Sequence, residues 1–186
     1  MSVGVSSRSF PPLCRQLFAA ERPAVSRPCA VTMGKSLQQI EGYPMDVPEH
    51  ESGVVRHTAR LWPKPVSDYT AGDLRFMIGQ KHGLPHLMPR ALSFLEQNPL
   101  VEDDDYGGEL LRPVMRVPEA YWQEHAEHFR RAMEAARRAL AELEHRKTKR
   151  AARLAFLPGE DPSGHDPIEE DLIKAIRPFI PDHRAG

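Results

Sequence analysis

The chain has 186 residues and a formal net charge of −1, with 40% hydrophobic and 27% charged residues. That length suits one domain with appendages, and no apolar run is long enough to predict a transmembrane helix. Two cysteines, Cys14 and Cys29, exclude a disulfide framework and a cysteine-based metal site, and they favour a reducing, intracellular setting.

Charge is distributed unevenly along the chain. Residues 36–118 carry twelve acidic and eight basic side chains, whereas residues 119–157 carry six acidic and nine basic ones. The middle region therefore has no basic footprint of the kind that nucleic acid binding requires. Its mildly acidic character suits a basic protein partner instead.

The N-terminal segment differs in composition from the rest. Residues 1–32 are rich in Ser, Arg and Pro and contain one acid, Glu21. An organelle transit peptide has a similar composition, but a disordered tail or a translation start at Met33 is the simpler interpretation. We therefore predict that residues 1–35 lie outside the fold.

Two short helices are predicted first. In residues 36–42, Ser36 with Gln39 forms a capping box and Gly42 provides the stop. In residues 53–61, Val54, the pair His57 and Thr58, and Leu61 recur on one face. The following Trp62 and Pro63 end that helix.

Two stronger helices follow. Thr70 with Asp73 forms a second capping box, and the helix that it begins is predicted to run about three turns to Gly83. The next helix spans residues 84–97 and ends at Asn98. Its predicted inner face contains Leu87, Met88, Ala91, Leu92 and Leu95.

A bent or short helix is predicted over residues 109–117. Its apolar residues are Leu110, Leu111, Val114 and Met115, and Pro113 lies among them, where it disrupts regular helix. No segment alternates between apolar and polar residues as a half-buried strand would. The sequence therefore predicts an all-α fold, a compact bundle of short helices with one long C-terminal helix.

The long helix is predicted from Pro118 to residue 157. Its apolar residues repeat every seven positions and comprise Trp122, Ala126, Phe129, Met133, Ala136, Leu140 and Leu143. This seam either packs on the chain's own helices or supports self-association as a coiled coil. The charged run 146–153 is predicted to be a solvated end.

A linker and a last helix complete the chain over residues 158–186. Residues 158–166 are rich in turn formers, and Asp166 with Pro167 begins the helix. Its inward-facing residues are predicted to be Ile168, Leu172, Ile173 and Ile176, and Pro178 ends it.

Between Ser36 and Trp122 the order and spacing of short pieces resemble a known family. The pieces are 36–42 (SLQQIEG), 64–65 (KP), 68–70 (DYT), 73–75 (DLR), 78–80 (IGQ), 83–85 (GLP), Leu87, 91–92 (AL), 95–96 (LE), 98–100 (NPL), Tyr106, Gly108, 110–111 (LL), 117–118 (VP) and Trp122. Together they are similar to the immunity proteins of bacterial contact-dependent growth inhibition systems. The segment departs from the family pattern at Lys81, His82, Gly107 and Pro113, which leaves open which toxin is bound.

The resemblance implies a domain over residues 36–122 that binds and neutralises the C-terminal toxin domain delivered by a neighbouring cell, in the cytoplasm. It implies no catalysis, no cofactor, no metal, no nucleic acid partner and no membrane. The rival function from the residues alone is a helical scaffold or oligomerisation module. That module would use the 122–143 seam, through Trp122, Phe129, Met133, Leu140 and Leu143.

One acidic run is the best candidate for a partner-binding site. Four consecutive like charges repel one another unless a partner answers them. Many such toxins are nucleases, whose grooves must be positive to hold phosphate, so an acidic loop with an aromatic anchor suits one. The candidate residues are Glu102, Asp103, Asp104, Asp105, Tyr106, Tyr69 and Trp62. The alternative is a solvated loop between helices.

The rest of the sequence contains no complete catalytic or metal-binding motif. His125 and His128 lie three positions apart on a predicted helix, but two histidines are too few for a metal site. The sequence has no glycine-rich phosphate loop and no serine in a nucleophile elbow. A histidine and carboxylate metalloenzyme remains the second rival, although nothing in the sequence argues for catalysis.

Overall fold

The computed structural model describes residues 34–45, 52–101, 109–155 and 163–180, and within them it is all-α. The eight helices of these residues are α1 (Leu37–Glu41), α2 (Gly53–Leu61), α3 (Ala71–Gly79), α4 (Leu84–Gln97), α5 (Leu111–Met115), α6 (Glu119–Glu124), α7 (Ala126–Leu154) and α8 (Pro167–Ile176). A single 3₁₀ turn (Val66–Asp68) separates α2 from α3. The prediction of an all-α bundle of short helices with one long helix is confirmed, and no described helix is long and apolar enough to cross a membrane.

Local hydrogen bonds start the helices where the sequence predicts. The hydroxyl of Ser36 accepts from the backbone N–H of Gln39 at 3.3 Å, and the Gln39 side chain accepts from the Ser36 N–H at 3.0 Å. Thr70 and Asp73 make the same reciprocal pair at α3. These caps satisfy N–H groups that have no partner inside the helix, so both helices begin sharply.

Helix α4 lies at the centre of the core. It contacts α7, α3, α5 and the 3₁₀ turn. Five of its buried side chains are the inner face predicted from the sequence, and Leu84 is buried as well. The buried residues of α4 are Leu84, Leu87, Met88, Ala91, Leu92 and Leu95.

Helix α3 ends four residues earlier than predicted. Its last residue is Gly79, and Lys81 rather than Gly83 takes the left-handed conformation, with φ of 64°. The N–H of Lys81 donates to the Ile78 carbonyl and the N–H of His82 donates to the Met77 carbonyl, as in a Schellman motif. Gly83 instead precedes α4, with φ of 57°, where an added Cβ would lie 2.6 Å from Leu37 Cδ2.

The predicted long helix is interrupted at His125, which has φ of −127° and ψ of 59°. Trp122 therefore belongs to the short helix α6, and α7 begins at Ala126, which is exposed. Of the remaining predicted seam, Met133, Ala136 and Leu143 are buried. Phe129 and Leu140 pack at the edge of the same core.

The buried face of α7 is wider than a coiled-coil seam, because it also contains Ala132, Ala135 and Ala139. The small side chains of this face lie in the core, where α7 packs on α4. Three of the five residues named for self-association, Trp122, Met133 and Leu143, are buried in the chain's own core, whereas Phe129 and Leu140 are partly buried.

The sequence predicted that the charged end of α7 is solvated, but two of its cations form ion pairs with α8. The Lys147 Nζ lies 3.0 Å from a Glu170 oxygen, and the Arg150 Nη2 lies 2.9 Å from a Glu169 oxygen. Both acids belong to α8, so these ion pairs link the two helices. Leu172, Ile173 and Ile176 of α8 are buried as predicted, whereas Ile168 is 44% exposed.

We expect Lys81→Gly to be more stable than Lys81→Ala by about 1 kcal/mol, because glycine has no Cβ to clash with the backbone at a positive φ. Both variants lose the same charge, so the difference isolates the backbone strain. Free energies of unfolding from urea titrations measure it. The same two substitutions at Gln80, whose φ is −83°, are the control and should give no advantage to glycine. Equal stabilities of the two variants at Lys81 would contradict this assignment.

A second prediction concerns the junction of α7 and α8. Gly164 has φ of 63°, and a Cβ there would lie 2.7 Å from the Ala151 nitrogen and the Lys147 oxygen. We expect Gly164→Ala to lower the free energy of unfolding by at least about 1–2 kcal/mol, since backbone atoms cannot move aside as a side chain can. Urea titration and hydrogen exchange of the α8 amides measure the effect. Gly53→Ala, with no atom within 4 Å of its added Cβ, is the control that should leave both unchanged.

Candidate functional site

Trp62 follows α2 and is a core residue, only 2% exposed. Its indole Nε1 donates a 3.0 Å hydrogen bond to the Tyr43 carbonyl, and the ring of Tyr43 packs against it. The ring of His82, just after α3, makes an edge contact with Trp62, with ring centroids 6.0 Å apart. Trp62 therefore holds the segment before α2 and the end of α3 together, and a partner does not reach its side chain without rearrangement of this core.

Tyr69 is also buried, with no exposed surface. Its hydroxyl donates to the Leu61 carbonyl at 2.8 Å, and its own carbonyl accepts from Arg90 Nε at 3.0 Å. Burial, with the nearby charge of Asp73, raises the pKa of the Tyr69 phenol well above its ordinary value. Both aromatic residues outside the acidic run are thus packing residues in the described structure.

The acidic run itself, Glu102, Asp103, Asp104 and Asp105, with Tyr106, lies outside the described residues. Its two flanks are described and firmly held. Leu100 is 2% exposed and Leu110 is 1% exposed, and both belong to the hydrophobic core. The described residues on either side of the acidic run are therefore fixed in the core.

An aromatic stack surrounds the break at His125. The Tyr121 and His125 rings are stacked with centroids 4.2 Å apart, and the Tyr121 hydroxyl lies 2.8 Å from Nδ1 of His128. Burial lowers the pKa of His128, and the neighbouring His125 and Arg131 charges lower it further. Within the described residues, no group of three or more histidine, cysteine or acidic side chains is arranged to hold a metal ion. The stack joins α6 to α7.

A basic groove lies where α3 meets α5. We define the basic groove by Arg75, Lys81, Glu109, Arg112 and Arg116, which line it with Ile78, Gly79 and Pro113. Its volume is about 430 Å³. Four of its five ionisable side chains are cations, so its charge is opposite in sign to that of the acidic run.

Two of the four cations in the basic groove are neutralised. The Nη1 of Arg75 lies 2.7 Å from a Glu109 oxygen, and the Nη1 of Arg112 lies 2.8 Å from an Asp171 oxygen of α8. Lys81 and Arg116 are exposed, and neither makes an ion pair with a carboxylate of the described chain. Within the described residues, the basic groove therefore carries a net charge of +2 that no carboxylate neutralises.

Sequence reasoning missed the basic groove because its cations come from separate elements. Arg112 and Arg116 are four positions apart, which does place them on one helical face. Arg75 and Lys81 join them only because α3 packs on α5. The departure of Lys81 from the family pattern is the sequence signal that points to the basic groove.

The comparison with protein families identifies the chain's relatives. A family model described as CDI immunity proteins, where CDI is contact-dependent growth inhibition, matches residues 39–132. That match extends from α1 into α7 and covers just over half of the chain. A comparison with curated proteins finds no significant match. On the evidence of the family match, the chain belongs to the family of CDI immunity proteins.

Proposed function

We propose that this chain protects a bacterial cell by binding the toxin domain of a contact-dependent growth inhibition system in the cytoplasm. Binding is stoichiometric and blocks the toxin, with no turnover and no cofactor. The match of residues 39–132 to CDI immunity proteins is the observation that carries the proposal. The matched helices share one hydrophobic core, which makes them a preformed surface and avoids the ordering cost of a flexible binder.

The first experiment tests protection and binding separately. The toxin domain encoded beside the gene is produced from an inducible promoter in cells with and without this chain. We expect growth only in cells that contain the chain, and a one-to-one complex of the purified proteins in analytical ultracentrifugation. Protection without a complex, or a complex without protection, contradicts neutralisation by direct binding.

We further propose that the acidic run 102–105 contacts a basic surface of the toxin, as in the substrate groove of a nuclease. The run contributes four of the twelve acids in residues 36–118. The nearest core residues on either side of it, Leu100 and Leu110, are buried. Clustered charge of this kind mainly accelerates association and discriminates between partners.

The prediction for the acidic run is that simultaneous Glu102→Gln, Asp103→Asn, Asp104→Asn and Asp105→Asn substitutions weaken toxin binding at least tenfold at low salt. The cause is lost charge attraction, and about 1.4 kcal/mol corresponds to that factor. Titration calorimetry across salt concentrations measures it, and the salt dependence should become shallower.

The matched control neutralises four exposed glutamates of α6 and α7 with the same change in net charge. Those residues are Glu119, Glu124, Glu134 and Glu142. We expect the control to change affinity less than threefold. If neutralising the acidic run leaves affinity and salt dependence equal to those of the unaltered chain, the run is a solvated connection and not a contact.

A further inference from the structure

We propose that the basic groove between α3 and α5 binds an acidic segment of the toxin, in addition to the contact that the acidic run makes. This inference rests on the proposed function and names the chemistry of a second contact. The basic groove has a volume of about 430 Å³, which accommodates several side chains. It also lies within residues 39–132 except for its Asp171 neighbour.

The charge of the basic groove is local and not a reflection of the whole chain. Outside the acidic run, residues 36–118 contain eight acids and eight bases. The basic groove nevertheless gathers four of those eight bases around a single acid, Glu109. Bringing like charges together costs free energy in the unbound protein, and an acidic occupant reverses that cost.

The existing contacts of the basic groove show which anions its arginines hold. Arg75 and Arg112 already bind carboxylates, from Glu109 and Asp171, at 2.7 and 2.8 Å. Each guanidinium has five N–H donors in a planar fork, so donors remain for an incoming carboxylate. Lys81 and Arg116 offer two further cations without described partners, which fits a segment with two or more acidic side chains.

The same contacts disfavour nucleic acid as the occupant. A duplex carries one negative charge for roughly every 1.7 Å of its axis. Such a continuous array would lie against Glu109 and Asp171 as well as the cations. The acidic run also ends only four residues before Glu109 in the sequence. A protein segment with a few discrete carboxylates avoids these repulsions.

The backbone of Lys81 provides an independent reason to regard the basic groove as functional. Lys81 is the single non-glycine residue with a positive φ in the described structure, and it lines the basic groove. A Schellman motif favours glycine at that position, so lysine there lowers stability relative to glycine. Residues held in unfavourable backbone conformations cluster where function requires the side chain.

The test compares two charge reversals of equal size. Lys81→Glu with Arg116→Glu changes the basic groove, and Lys149→Glu with Arg153→Glu changes two exposed cations of α7 by the same net charge. Titration calorimetry with the inactivated toxin domain is carried out on the full chain at low and high salt. We expect the basic-groove variant to bind at least tenfold more weakly at low salt, and the α7 variant to stay within threefold. Thermal unfolding of all variants confirms that each is folded.

Lys81→Gly and Lys81→Ala provide a readout that a purely structural lysine would not give. Both should weaken toxin binding equally, by threefold or more, although the glycine variant is the more stable of the two. Affinity that follows stability across these two variants would overturn the assignment of Lys81 to binding.

The outcomes separate the two proposals. A chain that neither binds nor protects against the toxin removes the proposed function. Normal protection with equal affinities for the two charge-reversed variants overturns only the basic groove. Labelled single-stranded DNA is added as a further probe of the unaltered chain. DNA binding that is lost in the Lys81→Glu, Arg116→Glu variant would replace the acidic segment with nucleic acid and overturn this inference.

Discussion

The packing of α4 against α7 is the interaction on which the rest of the described structure depends. Helix α4 buries six side chains, and α7 offers it a face that includes Ala132, Ala135, Ala136 and Ala139. Small side chains let two helix axes approach closely. Helices α3 and α5 then pack on what remains of α4, and their junction forms the basic groove.

The same packing explains why the heptad of α7 does not require a second chain. The apolar stripe of a coiled-coil helix is narrow, whereas a helix in a globular core buries a wider apolar face. The alanines beside the heptad widen the buried stripe of α7, and α4 and α8 cover it. Ala132, Ala135 and Ala139 fall outside the seven-residue repeat. The repeat therefore predicted Met133, Ala136 and Leu143 as inward-facing and did not predict these three alanines.

Features fixed by neighbours in sequence were predictable, and features fixed by distant contacts were not. The capping boxes at Ser36 and Thr70 are local hydrogen bonds, so residue types three positions apart suffice to identify them. Gly83 signals a left-handed backbone but not which helix uses it, and it precedes α4 rather than ending α3. The break at His125 follows a run of ordinary helix formers, and its stacked Tyr121 ring gives no sequence signal.

The candidate site shows the same limit more sharply. Aromatic residues dominate both binding hot spots and cores, and only long-range packing decides between these roles. Trp62 and Tyr69 belong to the core because their polar atoms find backbone carbonyls of Tyr43 and Leu61 inside the chain. The net charge also conceals how charge is distributed, since a value of −1 is compatible with an acidic run and a basic groove in one small protein.

Two surfaces of opposite charge place a stronger constraint on a partner than one surface does. A single acidic run attracts any basic protein, and its attraction is largely independent of orientation. A partner that must also present carboxylates to the basic groove is restricted in both identity and register, because a reversed orientation brings like charges together. In the proposed complex, the left-handed backbone of Lys81 costs stability at one position and places a cation in the basic groove, where it contributes to this discrimination.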